Sequence, residues 1–144
     1  MLPLEQRDLR NWMTGRSSLT ARLIAVSKSF AVQLLYEGVA KPHRDEAWLL
    51  GLRLGQVARI RQVSLVCDGR PLIYGHTILP LAPRHFFDRV FVGLGQRALG
   101  GELFRDPRIR RGPFRFCQLN REHTLALRAA RVSGLEGALR SRFW

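Results

Sequence analysis

The chain is poor in lysine, cysteine, histidine and acid, and each shortage removes a class of function. Its two cysteines, Cys67 and Cys117, lie far apart with no metal-ligand spacing and no secretory pattern before them. They read as reduced thiols in cytoplasm rather than as a disulfide framework. The four histidines, His43, His76, His85 and His123, fall in different segments without an H-x-x-x-H or Cys/His grouping, so no metal is expected. There is no G-x-S-x-G, phosphate loop or dinucleotide fingerprint, which removes hydrolase, NTPase and Rossmann readings. Long apolar runs are missing too. The opening MLPLEQRDLRNWM carries acids and is neither a signal peptide nor a membrane span, so a soluble, cytoplasmic protein is expected.

Acid is scarcest relative to base: 24 Lys and Arg face 11 Asp and Glu, for a net charge of +13 and a pI near 11.6. Such an excess places nucleic acid or acidic lipid among the conceivable partners. The distribution argues against a dedicated nucleic-acid module. The one local cluster, Arg105, Arg108, Arg110, Arg111 and Arg115, is interrupted by Asp106, Pro107, Gly112 and Pro113 and reads as a solvated loop. No basic recognition helix, zinc-ligand set or row of stacking aromatics accompanies it.

What is present suits one α+β domain over residues 1–144, with 46% apolar residues to build a core. Leu9, Trp12 and Met13 fit one face of a first helix ending near Gly15. Ser17 or Ser18 can cap a second, whose buried face would include Leu19, Leu23 and Ile24. A strand follows in which Phe30, Val32, Leu34 and Tyr36 alternate with Ala31, Gln33, Leu35 and Glu37. Residues 39–50 are a connection with a helical turn started by Asp45. After a central hairpin, Pro83 opens a helix with a stripe of Phe86, Phe87, Val90, Phe91 and Leu94. Gly93, Gly95, Gly100 and Gly101 then suit a helix end and loop, and Cys117 sits in an expected strand, PFRFCQL.

The central hairpin, RQVSLVCDGRPLIYGHTILP from Arg61 to Pro80, is the most informative stretch. Alternation puts Arg59, Arg61, Val63 and Leu65 on one side and Ile60, Gln62, Ser64 and Val66 on the other. Asp68-Gly69 signals a two-residue turn with positive φ at both positions. If the Arg61 side is the core, its guanidinium costs several kcal/mol unless a carboxylate or carbonyls meet it. If it is the solvent side, Arg59 and Arg61 are ordinary surface charges. His76 on the return strand either faces the same cavity as Arg61 or is a surface or satisfied core histidine.

This hairpin resembles that of bacterial chorismate lyase: Arg61, the run Val63 to Val66, Asp68-Gly69, Pro71, and Gly75-His76-Thr77-Ile78-Leu79-Pro80. Three collinear blocks are also similar to that family: Trp12 with Ser18-Leu19-Thr20, the strand Val32 to Gly38 ending in Glu-Gly, and Leu94-Gly95-Gln96-Arg97-Ala98-Leu99-Gly100 with Leu103-Phe104. The resemblance implies an antiparallel sheet with helical flaps over an internal ligand cavity. It implies elimination of pyruvate from chorismate to give 4-hydroxybenzoate for ubiquinone biosynthesis, with no cofactor and no metal. It assigns Arg61 as the catalytic and carboxylate-binding residue, with Leu19 and Leu99 as substrate-binding residues.

The family's last strand carries a glutamate. Here the matching position falls on Ser141 or Trp144, depending on which glycine turn is used, so a shortened or altered C-terminus is expected. A domain that binds an aromatic acid without catalysis, and a basic protein associated with nucleic acid, are the alternatives. A monomer or weak dimer is expected, because an unpaired sheet edge invites pairing.

Overall fold

The computed structural model describes residues 6–81 and 93–134. Its elements in chain order are α1 (Gln6–Thr14), α2 (Leu19–Val26), β1 (Phe30–Ala40), α3 (Arg44–Leu49), β2 (Ala58–Cys67), β3 (Arg70–Pro80), α4 (Leu99–Arg105) and α5 (Thr124–Val132). The strands form one antiparallel sheet in the order β1-β2-β3, so the chain is α+β.

Local chemistry sets most of these boundaries. Ser18, not Ser17, caps α2, its hydroxyl accepting from the Ala21 amide at 3.4 Å. Asp68 and Gly69 both take positive φ, 50° and 75°, as a two-residue turn between right-twisted strands requires. The Asp68 carboxylate also accepts from the amides of Lys28 and Ser29, each at 2.8 Å. The turn is thereby tied to the entry of β1, which fixes the register of all three strands.

One irregularity decides which side chains meet. β1 pairs Leu34 with Val63 but Tyr36 with Gln62, leaving Leu35 as the extra residue of a bulge. The simple alternation read from the sequence therefore reverses after Leu34. Tyr36 turns to the face of Gln62 and Ser64, and Glu37 joins Phe30, Val32 and Leu34 on the face of Arg61, Val63 and Leu65.

The Arg61 face is the core face, not the solvent face. Leu23 of α2 packs there with Val32, Leu65 and Cys67, and Trp12, Phe30, Val63, Ile73 and Ala98 close around them. Gly75 lies opposite Val63, where an added Cβ would come within 3.0 Å of the valine methyl. The opposite face is covered by α5, whose Ala126 and Ala130 are buried and which packs against β3.

Three expectations need correction. Of the apolar residues of α2, only Leu23 is buried; Leu19 and Ile24 remain exposed, because an eight-residue helix presents one narrow stripe to the sheet. Gly100 and Gly101 lie inside α4 rather than in a loop. Residues 113–119 form no strand, and Cys117 is exposed; Gly112 and Pro113 interrupt the chain at the start of this segment. The expected stripe of Phe86, Phe87, Val90 and Phe91 lies outside the described residues, as do Ser141 and Trp144.

Candidate functional site

Arg61 is 2% exposed in the middle of β2. The two kinds of partner that a buried guanidinium needs are both there. Its Nη1 lies 3.4 Å from Glu37 Oε2 across the sheet, and its Nη2 donates to the Arg97 carbonyl at 2.9 Å. Burial pulls the Arg61 pKa below its ordinary value, and the Glu37 carboxylate opposes that shift. An arginine so placed stays charged at neutral pH. Glu37 reaches it only because of the β1 bulge.

The second contact has a consequence for the rest of the site. Arg97 is two residues before Leu99, so Arg61 anchors the segment that carries Leu99 into α4. That segment is braced by Arg97 itself, whose side chain donates to the carbonyls of Gly93 and Leu94 at 2.6 and 3.4 Å and whose amide donates to Leu94 at 2.9 Å. Leu94 is 1% exposed. The N-terminus of α4 meets that of α2: a Cβ on Gly100 would sit 3.4 Å from both Ser18 Oγ and Thr20 Oγ1, the residues flanking Leu19. Arg61 is thus joined to the Leu99 segment by a hydrogen bond, and the Leu99 and Leu19 segments touch through helix ends. Sequence reasoning missed Glu37 and the Arg97 carbonyl. An acidic residue in an otherwise apolar strand was the available signal for Glu37; nothing in a sequence marks a backbone carbonyl.

His76 does not face the same side of the sheet as Arg61. It pairs with Gln62 on the other face, where its side chain is 6% exposed. A cavity of about 530 Å³ opens on that face, with Ile60, Gln62, Tyr74 and His76 from the sheet, His43 and Glu46 beside α3, and Arg128 and Arg131 from α5. His76 Nε2 is 3.2 Å from Glu46 Oε1, without the alignment of a good hydrogen bond. Glu46 is itself held, accepting from the His43 amide at 2.9 Å. Burial lowers the His76 pKa; Glu46 opposes this, while His43 and Arg128 reinforce it. Burial raises the Tyr74 pKa, with Arg128 opposing.

The helices around this cavity are linked at one corner. His123 caps α5, its Nδ1 accepting from the Leu125 amide at 3.2 Å, and its Nε2 lies 3.1 Å from Asp45 of α3. With Nδ1 occupied as an acceptor, Nε2 carries the proton and donates to Asp45. Among the described residues, no group of three or more His, Cys, Asp and Glu side chains is arranged to hold a metal ion. No helix among them is long and apolar enough to cross a membrane.

The profile of the chorismate lyase family matches residues 4–144. The chain is 45% identical over 127 residues to a probable chorismate pyruvate-lyase of Cupriavidus pinatubonensis, covering 87% of this chain and 64% of that protein. It is 46% identical over 125 residues to one from Ralstonia nicotianae, covering 85% and 63%. A third, from Dechloromonas aromatica, is 42% identical over 136 residues, covering 94% and 74%. The chain thus spans less than two thirds of the length of several of these relatives. With four collinear sequence blocks on one α+β scaffold and a match over nearly its whole length, this chain belongs to the chorismate lyase family.

Proposed function

We propose that the protein is a chorismate pyruvate-lyase, acting as a monomer or weak dimer in the cytoplasm and supplying 4-hydroxybenzoate for ubiquinone biosynthesis. The observation that carries this reading is Arg61, a guanidinium 2% exposed on the core face and hydrogen-bonded to the segment leading to Leu99. Arg61 takes the ring carboxylate, its planar fork matching two oxygens at once. Glu37 neutralises Arg61 before substrate arrives, and the substrate carboxylate takes over that task when it binds. Leu19 and Leu99, on helix ends that meet, close over the ring.

In the reaction the ether C–O bond at the ring breaks and its electron pair leaves with enolpyruvate, which gains a proton to become pyruvate. The ring loses the proton from its hydroxyl-bearing carbon and becomes aromatic. Aromatisation drives the step, so the protein's work is to hold the ring, exclude water and stabilise departing charge. No step needs a cofactor.

One second reading, a domain that binds an aromatic acid without turning over chorismate, is favoured by the residues at the position of the family's last-strand glutamate, Ser141 or Trp144, neither of which can take a proton as a carboxylate does. A single assay separates the two: incubation with chorismate while pyruvate and 4-hydroxybenzoate are followed together. Equal release of both, lost in Arg61→Ala, is the expected outcome. No turnover with Arg61-dependent binding of 4-hydroxybenzoate supports the second reading, and neither turnover nor binding overturns both.

A further inference from the structure

We propose that the cavity on the sheet face opposite Arg61 is a second binding site, which takes a small organic carboxylate with a flat apolar body. It is independent of the lyase reading, because β2 gives Arg61 to one face and Ile60 and Gln62 to the other.

Two observations point to a ligand. The first is unspent hydrogen-bonding capacity. The Tyr74 hydroxyl and both His76 ring nitrogens are buried and lack a well-aligned partner among the described residues. Leaving such groups unsatisfied is costly, and a bound acceptor with two oxygens would take the Tyr74 O–H and the single N–H of a neutral His76. The second is charge. Lys41, Arg128 and Arg131 line the cavity against one carboxylate, Glu46, which is already engaged with His43 and His76. Arg128 lies close enough to act on the Tyr74 hydroxyl. An anion entering between Arg128 and Tyr74 therefore meets donors, with Glu46 held on the far side of His76 by the His43 amide.

The remainder of the lining selects what the anion is attached to. Ile60, Leu35 and Val132 supply aliphatic surface, and the Tyr36 and Tyr74 rings supply flat faces. A bare inorganic anion would leave that surface wet, whereas a small ring or branched chain would cover it. At about 530 Å³, the volume lies within the range that small-molecule sites usually offer. The clamp from His123 to Asp45 ties α3 to α5, so the walls are preformed.

The test is to titrate benzoate into the protein while following the assigned ring resonances of His43 and His76, with the Trp12 indole as reporter of the Arg61 face. The expected result is saturable movement of both histidines, weakened about tenfold or more in Arg128→Gln, an exposed position whose replacement leaves the core intact. Tyr74→Phe, which removes only the buried hydroxyl, should weaken binding in the same sense. Benzoate that moves Trp12 alone, histidine shifts unchanged by both substitutions, or inorganic phosphate moving His76 as effectively as benzoate would each overturn the assignment.

Discussion

The two faces of the sheet formed by β1, β2 and β3 bury polar groups in different ways. On the face that carries the Leu23, Val32 and Leu65 core, the buried Arg61 guanidinium meets two protein groups: a carboxylate across the strand and a carbonyl from the following segment. On the other face a phenol and an imidazole are buried beside arginines, and their capacity is left open. The first arrangement holds the fold together as well as offering a charge. The second lines a cavity of about 530 Å³ beneath α5. Burial of a polar group is therefore not a uniform signal; what distinguishes Arg61 from Tyr74 and His76 is how far the described residues complete the hydrogen bonds.

That contrast can be sharpened at Glu37. Glu37→Gln keeps a hydrogen-bond acceptor near Arg61 but removes the counter-charge, leaving a buried guanidinium with only neutral acceptors. Stability in urea should fall by about 1–3 kcal/mol. A saturating carboxylate ligand should restore more of that loss in the variant than it adds to the wild type, because it replaces the missing charge. Unchanged stability would mean that Glu37 does not compensate Arg61, and the difference between the faces would shrink.

A smaller effect separates the faces by pH. On the second face His76 changes charge near neutrality, surrounded by Glu46 and His43 from the α3 side, Tyr74 on its own strand and Arg128 of α5. Its folded pKa is lowered from 6.5, so the unfolded chain takes up a proton first as pH falls. The favourable contribution of neutral, buried His76 is intact above about pH 6.5 and is lost progressively as pH drops from there toward the lowered folded value. Unfolding curves of wild type and His76→Gln should thus converge or cross on acidification through that window. Parallel curves would contradict a buried, neutral His76.

Much of the Arg61 face was legible because its information is local. Arg61, the alternation of β2 and the Asp68-Gly69 turn lie within one hairpin, and the requirement that a buried guanidinium find a carboxylate or carbonyl follows from charge alone. Glu37 was not legible as the partner, because its facing depends on a bulge at Leu35 that no turn residue or glycine announces. The second face was hardly legible at all. His43, Glu46, Tyr74, His76 and Arg128 come from three distant stretches, and no spacing rule links residues whose proximity depends on α3 and α5 docking over the sheet. The exposed Leu19 and Ile24 show the converse limit: apolar residues at helical spacing outnumber the positions a short helix can bury.

The most direct test of Arg61 as the carboxylate-binding residue is titration of 4-hydroxybenzoate, read at the Trp12 indole resonance, in wild type and in Arg61→Lys. Lysine keeps the charge and much of the bulk while losing the planar fork, so the variant is expected to fold and to bind at least about tenfold more weakly. An Arg61→Lys protein that is folded and titrates with the same midpoint as wild type would contradict the assignment of Arg61 as the carboxylate's partner.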